Sequence, residues 1–324
     1  MINFRQYQDA VSDDWKVCVV MPARNESSHI YDAISVLPEW IDRVVVVNDG
    51  SDDNTAELAQ DAGAIVINSE GIGVGGAISH GYQHLLNSNI PERWCAVVMA
   101  GDGQMDPNDL SNLIEPIISG NADYVKGDRS SHFEGLKAMP LRRRIGTWWL
   151  KHLTNLATGL EIHDPQCGYT VCSDRMLSEW DWSRNWDGYG YPNWWLMRCV
   201  EQGFSVDEAP VRAIYQGQSS GIRILTFLPK VSGMLLLGLF SRGSRWYLLG
   251  QRRISALKRM TVSIGFLGGI VALASTPWTG LIGLMGIPGL MAARMVDKHL
   301  VNPKSHLDKI EADGSDATVW PNAA

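Results

Sequence analysis

The chain has 324 residues, of which 45% are hydrophobic and 19% charged, and its formal net charge is -7. This length is sufficient for one large α/β domain with an appendage. The acidic balance argues against a nucleic-acid-binding protein, which would carry a basic stripe. The 5 cysteines lack metal-ligand spacing, so we expect reduced thiols rather than metal ligands.

Apolar runs, each followed by a polar loop and a helical segment, recur along the N-terminal part of the chain. Runs rich in Val and Ile are typical of strands buried in a parallel sheet. Their alternation with helices predicts a doubly wound, mostly parallel α/β sheet with ligands at the carboxyl ends of its strands. The predicted strands cover residues 16–22, 43–47, 64–68, 96–99 and 123–127, with a last one near 204–211.

The loop after the fourth strand has the strongest functional signal. Asp102 and Gln104 flank Gly103, so their side chains could converge on one ion or one diphosphate. We expect a ligand-binding role for both side chains. Asp106 and Pro107 instead predict a helix start, with Asp106 as the N-cap and Pro107 as the first helical residue.

A glycine-rich loop precedes the predicted helix 77–86. Gly71, Gly73 and Gly76 match the G-x-G-x-x-G pattern. A dinucleotide-binding fold would carry this pattern after its first strand, so a nicotinamide site is disfavoured. Two interpretations remain: contact with a ligand, or a loop that needs positive φ or tight helix packing.

Residues 139–153 predict a helix whose first turns carry consecutive arginines, 142–144. Positive charge at a helix N-terminus opposes the helix dipole, which indicates that another anion favours it. A phosphate or an anionic membrane surface would serve, and Trp148 and Trp149 suit an interfacial helix. The alternative is a solvated basic end on a core helix.

Residues 261–293 contain no charged side chain and no histidine. Pro277 divides them into two apolar pieces, each shorter than the ~20 residues that a straight transmembrane helix needs. Short spans in a hairpin, a re-entrant pair and a buried soluble pair are all compatible with this pattern. Basic residues on both sides favour a hairpin with both ends in the cytoplasm. We therefore expect membrane association.

Polar motifs follow one another in an unbroken order between residues 16 and 225. They are Pro22–Glu26, Val47–Ser51, Gly71–Gly76, Ala100–Pro107, Lys126–Arg129 and Asp164–Tyr169. This series resembles the family 2 glycosyltransferases of the GT-A fold, in particular the branch of dolichyl-phosphate mannose synthases and other polyprenyl-phosphate glycosyltransferases. The resemblance implies an α/β fold of the nucleotide-diphospho-sugar transferase type, with a doubly wound, mostly parallel sheet and C-terminal membrane-associated helices.

The resulting domain organisation has a glycosyltransferase domain at its centre. We expect that domain to be followed by basic, amphipathic interfacial helices and an apolar hairpin in the membrane. The boundaries are 1–15 for an N-terminal extension, 16–225 for the GT-A domain, 226–260 for the interfacial helices, 261–296 for the hairpin and 297–324 for a polar tail.

The resemblance implies a nucleotide diphosphate sugar as the donor. Asp102 and Gln104 would help to bind a divalent cation on its diphosphate, and oxygen ligands suit Mg²⁺ or Mn²⁺. Such an ion offsets the negative charge of the leaving group. The residues implied in nucleotide-sugar binding are Pro22, Ala23, Arg24, Glu26, Asp49, Gly73, Gly75, Gly101 and Asp102.

Arginines are implied in binding the phosphates of donor or acceptor through forked hydrogen bonds. They are Arg129, Arg143 and Arg223, although within the run 142–144 the assignment can slip by one residue.

The implied catalytic residues are Asp102, Arg129 and Asp164. Asp164 would be a general base if the acceptor were a hydroxyl. With a phosphate acceptor it would instead orient an arginine or its own loop, and a turn cap beside Pro165 is the structural alternative.

The chain departs from the family pattern at two places. Members of this branch usually have an acidic residue two positions before Asp102, where this chain has Ala100, so the metal loses a carboxylate here. Relatives also often carry a glutamate just after the aromatic residue of the segment Gly190–Asn193.

The implied activity is an inverting transfer of a hexose to a polyprenyl or dolichyl phosphate. The donor would be of the GDP-mannose or UDP-glucose type. The alternatives are a hydroxyl acceptor, such as a glycolipid or polysaccharide intermediate, and a non-catalytic nucleotide-sugar binder. We expect the protein at the cytoplasmic face of a membrane, held by its C-terminal hairpin and without a nucleic-acid partner. A homo-oligomer is compatible with the sequence.

Overall fold

The computed structural model describes residues 15–131, 141–212, 214, 224–250, 254–274 and 286–301. The predicted N-terminal extension, apart from Trp15, lies outside these ranges. So do Arg223, the middle of the predicted hairpin and the tail beyond Val301.

A single sheet of 7 strands organises the domain, in the order β3-β2-β1-β4-β6-β5-β7. All described pairings are parallel except those of β6, which runs antiparallel to both β4 and β5. The predicted mostly parallel sheet is therefore confirmed. The strands are β1 (Trp15–Ala23), β2 (Arg43–Asp49), β3 (Ile65–Ser69), β4 (Arg93–Val98), β5 (Tyr124–Asp128), β6 (Thr170–Ser173) and β7 (Val206–Pro210).

Helices cover the sheet and continue beyond it. Within the sheet domain they are α1 (Ile30–Ser35), α2 (Thr55–Asp61), α3 (Val74–Leu86), α4 (Leu110–Ile118), α5 (Leu141–Thr158), α6 (Asp174–Glu179) and α7 (Tyr191–Gln202). The C-terminal helices are α8 (Ile224–Gly243), which continues into a π-helical turn (Ser244–Leu248), α9 (Ala256–Ala274) and α10 (Gly286–Val301).

The apolar runs of the sequence become the buried centre of the sheet. Val17 to Met21 on β1, Val45 to Val47 on β2 and Cys95 to Val97 on β4 are fully shielded from solvent. Each face of the sheet has its own apolar cluster, as expected when strands are buried on both sides. The polar loops between these runs consequently meet at the carboxyl edge of the parallel strands.

The predicted apolar hairpin corresponds to α9 and α10, which pack tightly against each other. A Cβ on Gly265 would lie 2.5 Å from the carbonyl oxygen of Gly289 and 2.8 Å from the Cβ of Ala293. Small residues at this contact bring the two helix backbones close together. Helix α10 continues past residue 296 to Val301, so the start of the predicted tail falls inside a helix. Across the described ranges, no helix is both long enough and apolar enough to cross a membrane.

Candidate active site

The loops after β1 and β2 are joined by hydrogen bonds between them. The backbone N–H of Asn25 donates to Ser51 Oγ at 3.0 Å, and that of Asp52 donates to Asn25 Oδ1 at 2.8 Å. The N–H of Glu26 donates to Thr55 Oγ1 at 2.9 Å. These contacts fix the position of Glu26 relative to the end of β2.

Asp49, at the end of β2, shapes the glycine-rich loop. Its carboxylate accepts the Ser69 hydroxyl at 2.7 Å and the N–H groups of Ile72 and Gly73, each at 2.8 Å. The side chain is buried, and both oxygens are used in these bonds. Its predicted contact with the nucleotide stays a prediction, but its structural role is clear.

Close packing accounts for the glycines that follow. Gly73 has φ of +87°, and a Cβ there would lie 2.5 Å from the Asp187 carbonyl oxygen. A Cβ on Gly75 would lie 2.0 Å from the Trp186 carbonyl oxygen, and the Gly75 N–H donates to the Asp187 carbonyl at 2.8 Å. The packing interpretation of this loop thus explains both residues without a ligand.

The remaining predicted nucleotide-binding residues lie near the end of β1. Ala23 is buried, and a Cβ on Gly101 would lie 3.4 Å from the Ala23 Cβ and 2.8 Å from Ile30 Cδ1. Ala23 and Gly101 therefore form the packed floor beneath the loops. Pro22 is partly exposed and Arg24 is exposed at the rim.

Asp102 lies close enough to Glu26 for its charge to act on the Glu26 carboxyl. Asp102 Oδ1 accepts the N–H of Gln104 at 3.0 Å, which closes the turn around Gly103. Burial raises the pKa of Glu26, and the negative charge of Asp102 raises it further. A cation would relieve this repulsion, which fits the oxygen-donor chemistry of Mg²⁺ or Mn²⁺. Within the described ranges, no cluster of three or more His, Cys, Asp or Glu side chains forms a complete metal site.

The predicted helix start after this loop is confirmed. Asp106 Oδ1 accepts the N–H of Asn108 at 2.9 Å, and Pro107 begins a 3₁₀ turn that leads into α4. Arg212, which lies just after β7 and which the sequence did not single out, also holds this turn. The backbone N–H of Arg212 donates to Asp109 Oδ2 at 2.6 Å, and its side-chain Nη2 lies 3.2 Å from Asp106 Oδ2.

Arg129 and Asp164 form a forked ion pair beside the carboxyl end of β5. Arg129 Nε donates to Asp164 Oδ2 at 2.6 Å, and Nη2 donates to Oδ1 at 3.1 Å. Burial alone would raise the pKa of Asp164, but the charge and hydrogen bonds of Arg129, with the charge of Lys126, outweigh it and hold the pKa below its usual value. Asp164 is therefore ionised and committed to Arg129.

A buried polar chain ties the Asp164 loop to the helices behind it. Gln166 Nε2 donates to Asn193 Oδ1 at 2.7 Å, and Asn193 Nδ2 donates to Thr154 Oγ1 at 2.6 Å. Asn193 serves as a structural link between α7 and α5.

The structure does not describe the side chains of the other two predicted phosphate-binding arginines, Arg143 and Arg223. Arg143 lies in the first turn of α5, and its side chain is outside the described part of the chain. Arg144 is exposed, and Arg223 lies outside the described residues altogether. Their roles stay predictions.

The sheet and its loops define a GT-A-type fold. A solved structure of glucosyl-3-phosphoglycerate synthase from Mycobacterium tuberculosis, in complex with Mn²⁺, UDP and glucosyl-3-phosphoglycerate, is similar with a TM-score of 0.53 and 21% identity. The similarity covers 74% of this chain and 84% of that one.

Residues 18–180, just over half of the 324, match the profile of glycosyl transferase family 2. The chain belongs to this family and is a glycosyltransferase, so the predicted resemblance is confirmed. A dolichyl-phosphate hexose transferase of Haloferax volcanii is 30% identical over 201 residues, covering 60% of this chain and 81% of the relative. A UDP-N-acetylglucosamine–dolichyl-phosphate N-acetylglucosaminyltransferase of Methanococcus voltae is 27% identical over 223 residues, covering 62% and 87%.

Proposed function

We propose that this glycosyltransferase moves a hexose, with inversion at the sugar carbon, from a nucleotide diphosphate sugar to a polyprenyl or dolichyl phosphate at the cytoplasmic face of a membrane. The donor is of the GDP-mannose or UDP-glucose type. The observation that carries this proposal is the ion pair between Arg129 and Asp164. The names of the two dolichyl-phosphate relatives support the same acceptor class.

The ion pair bears on the acceptor because a hydroxyl nucleophile needs a general base close to it. Asp164 is the predicted candidate, yet both of its oxygens accept hydrogen bonds from Arg129 and its pKa is held low. A carboxylate in that state is a weak base. A lipid monophosphate is already ionised near neutral pH, so the enzyme need only position it and neutralise charge.

Arg129 is the residue to which we assign the acceptor phosphate. Guanidinium groups match phosphate oxygens in a forked geometry, and Asp164 fixes the orientation of this one. The side chain of Arg129 is partly exposed while that of Asp164 is buried, which leaves the arginine on the solvent side of the pair.

Asp102 and Gln104 are the residues that would hold Mg²⁺ or Mn²⁺ against the donor diphosphate. When bound, the ion would act as a Lewis acid and offset the charge that develops on the leaving nucleotide diphosphate. Since Ala100 provides no carboxylate, the donor phosphates and water would supply the remaining ligands.

The C-terminal helices support the membrane location. Large apolar side chains stand in solvent on their outer surfaces, including Leu237 (73% exposed), Leu257 (77%) and Val271 (66%). Trp148 and Trp149 on α5 are exposed as well. Exposed apolar surface of this extent is typical of membrane or partner interfaces.

The proposal is tested by offering the purified protein, in vesicles with Mg²⁺ or Mn²⁺, a panel of radiolabelled nucleotide sugars. Polyprenyl phosphate is the acceptor, and the matching uncharged polyprenol is the control. Extraction of labelled lipid with the phosphate but not with the alcohol supports the proposal. Transfer only to hydroxyl acceptors would contradict it and establish the hydroxyl-acceptor alternative, whereas no turnover of any nucleotide sugar would indicate a non-catalytic binder.

A further inference from the structure

Glu208, a residue of β7, accepts hydrogen bonds from the backbone of the loop that contains Asp164. Its Oε1 and Oε2 accept the N–H of His163 at 2.8 and 2.9 Å, and Oε1 accepts the N–H of Asp164 at 3.2 Å. Oε2 also lies 2.9 Å from His163 Nδ1. One carboxylate therefore fixes both peptide groups at this turn.

A buried lysine balances the charge beneath the turn. Lys126 is the residue of β5 that pairs in register with Glu208 on β7, and its side chain is 0% exposed. Its Nζ donates to the carbonyl of Cys167 at 2.5 Å, at the other end of the same loop. Burial lowers the pKa of Lys126 to about 8, while the charges of Asp164 and Glu208 act to raise it.

These contacts form a chain that leads to the acceptor side of the site. Glu208 holds the peptide groups of His163 and Asp164, and the Asp164 carboxylate holds the guanidinium of Arg129. Each link is a hydrogen bond to a charged group, the stronger class of such bonds. The orientation of Arg129 therefore depends on a side chain that does not touch it.

We infer that Glu208 is a positioning residue, which places Arg129 for the acceptor phosphate by fixing the 163–164 turn. This inference rests on the proposed function, in which Arg129 binds that phosphate. Replacing the Glu208 carboxylate by an amide would leave one uncharged acceptor oxygen for the two N–H groups and put an NH₂ donor in place of the other oxygen. The turn would then be held less firmly, and Asp164 and Arg129 could move. Small misplacements of a positioning group have large effects on transfer rates.

The test is a comparison of Glu208→Gln with Asp207→Asn. Both replace a carboxylate on β7 by an amide, but Asp207 is exposed and its bond goes to the adjacent N–H of Glu208. We expect Glu208→Gln to raise the KM for polyprenyl phosphate or lower kcat by roughly 10- to 100-fold. Binding of UDP or GDP, measured by calorimetry, should stay within about twofold of the wild type, since the loops of β1, β2 and β4 are untouched. Asp207→Asn should behave as the wild type in every measurement.

A double-mutant cycle with Arg129→Ala separates positioning from general structural damage. If Glu208 acts through Arg129, Glu208→Gln adds little further loss of acceptor affinity once Arg129 is gone. An equal loss in both backgrounds would overturn the inference, and so would a Glu208→Gln enzyme with wild-type acceptor kinetics. Failure of the proposed function is distinct, because Arg129→Ala alone would then leave the acceptor KM unchanged. Should Glu208→Gln not fold, Glu208→Asp, which keeps the charge but withdraws the oxygens from the turn, replaces it in the cycle.

Discussion

Arg242 of α8 and Asp297 of α10 form a forked ion pair from which solvent is excluded. Nη1 lies 2.7 Å from Oδ1 and Nη2 lies 2.8 Å from Oδ2, and the side chains are 2% and 0% exposed. The Tyr247 hydroxyl donates to the same carboxylate, and Arg242 Nε donates to the Ala157 carbonyl at 2.9 Å. The C-terminal helix is thereby joined to the end of α5, the helix whose first turn contains Arg143.

Asp297→Asn is expected to destabilise the whole protein rather than the C-terminal helix alone. The substitution leaves the Arg242 guanidinium buried without its counter-charge, which typically costs about 3–5 kcal/mol. Chemical denaturation would measure the loss in unfolding free energy. Lys298→Ala is the matched control, because it breaks the neighbouring exposed pair with Glu161, for which about 0–1 kcal/mol is typical. Similar losses in both variants would contradict the importance that we assign to burial.

This contact also alters an expectation about truncation. The domain boundaries expected from the sequence, with the GT-A domain ending at residue 225, predict that a chain cut at Thr261 keeps a folded nucleotide site. In the structure, that cut removes Asp297 and leaves Arg242 in an apolar setting beside α5. We therefore expect a truncated chain to be less stable than the Asp297→Asn variant.

Two substitutions in the loop that contains Asp102 should have opposite effects on metal-dependent activity. Asp102→Ala should lower the transfer rate on the order of a hundredfold or more, because a ligand of the ion on the leaving group is lost. Ala100→Asp should lower the Mg²⁺ or Mn²⁺ concentration needed for half-maximal activity, because it adds a carboxylate two positions before Asp102. Metal titrations of both variants under saturating donor would measure these effects. Near-normal activity of Asp102→Ala would contradict the metal assignment.

Asp164→Asn separates orientation from base catalysis by its pH dependence. The pKa of Asp164 is held low in the folded protein, so its ionised form stabilises the fold at neutral pH and that contribution is lost as the pH falls through the folded pKa. We expect the variant to be less stable than the wild type at pH 7 and to lose this difference in acid. With a phosphate acceptor, the pH–rate profiles of the wild type and of Asp164→Asn should have the same shape between pH 5 and 8. The wild type should therefore show no limb that the variant lacks. Such a limb would indicate a general base and favour a hydroxyl acceptor.

Lys126 predicts a pH dependence of the same sense, but in the alkaline range. Burial lowers its pKa from 10.5 to about 8, so between these values the unfolded chain binds more protons than the folded protein. Stability linked to Lys126 therefore rises with pH across that window, by up to about 3 kcal/mol for a shift of this size. The unfolding free energy of the wild type relative to Lys126→Met should increase from pH 8 to 10. Lys16→Met, at the surface pair with Asp42, should show a much smaller change.

Local patterns in the sequence were sufficient for much of the sheet. The apolar runs at Val17 and Val45 are bounded by polar loops, and the Asp106–Pro107 start needs only neighbouring residues. Contacts between distant parts of the chain had no such signal. Strand β6 pairs antiparallel with β4 and β5, and its short sequence does not indicate this direction.

In the candidate site, too, local motifs could be predicted from the sequence, whereas contacts between distant residues could not. The motif around Asp102 could be located from its own residues, whereas the roles of Glu208 and Arg212 depend on partners far away in sequence. Arg212 and Asp109, for example, are 103 residues apart. Similarly, the sequence left the glycine-rich loop open between ligand contact and tight packing, because the groups that require Gly73 and Gly75 to be glycines belong to residues 186–187. Such requirements arise only once the chain has folded.

The exposed apolar surface of the C-terminal helices predicts a test of membrane docking. Leu237→Glu on α8 and Val271→Glu on α9 place a charge where we expect the acyl boundary of a bilayer. We expect each to reduce co-sedimentation with anionic vesicles, since burying an isolated carboxylate in an apolar medium is unfavourable. Nucleotide binding and thermal unfolding should change little, because both side chains already face solvent.

Val36→Glu and Ile65→Glu are the matched controls for this test. Both are also exposed large apolar residues, 62% and 43% accessible, but they lie on the sheet domain away from α8 and α9. If the C-terminal helices form the docking surface, these controls bind vesicles as the wild type does. Equal loss in all four variants would indicate nonspecific adhesion. Undiminished binding of Leu237→Glu and Val271→Glu would instead move the membrane contact to α5, where Trp148 and Trp149 are the exposed side chains to replace next.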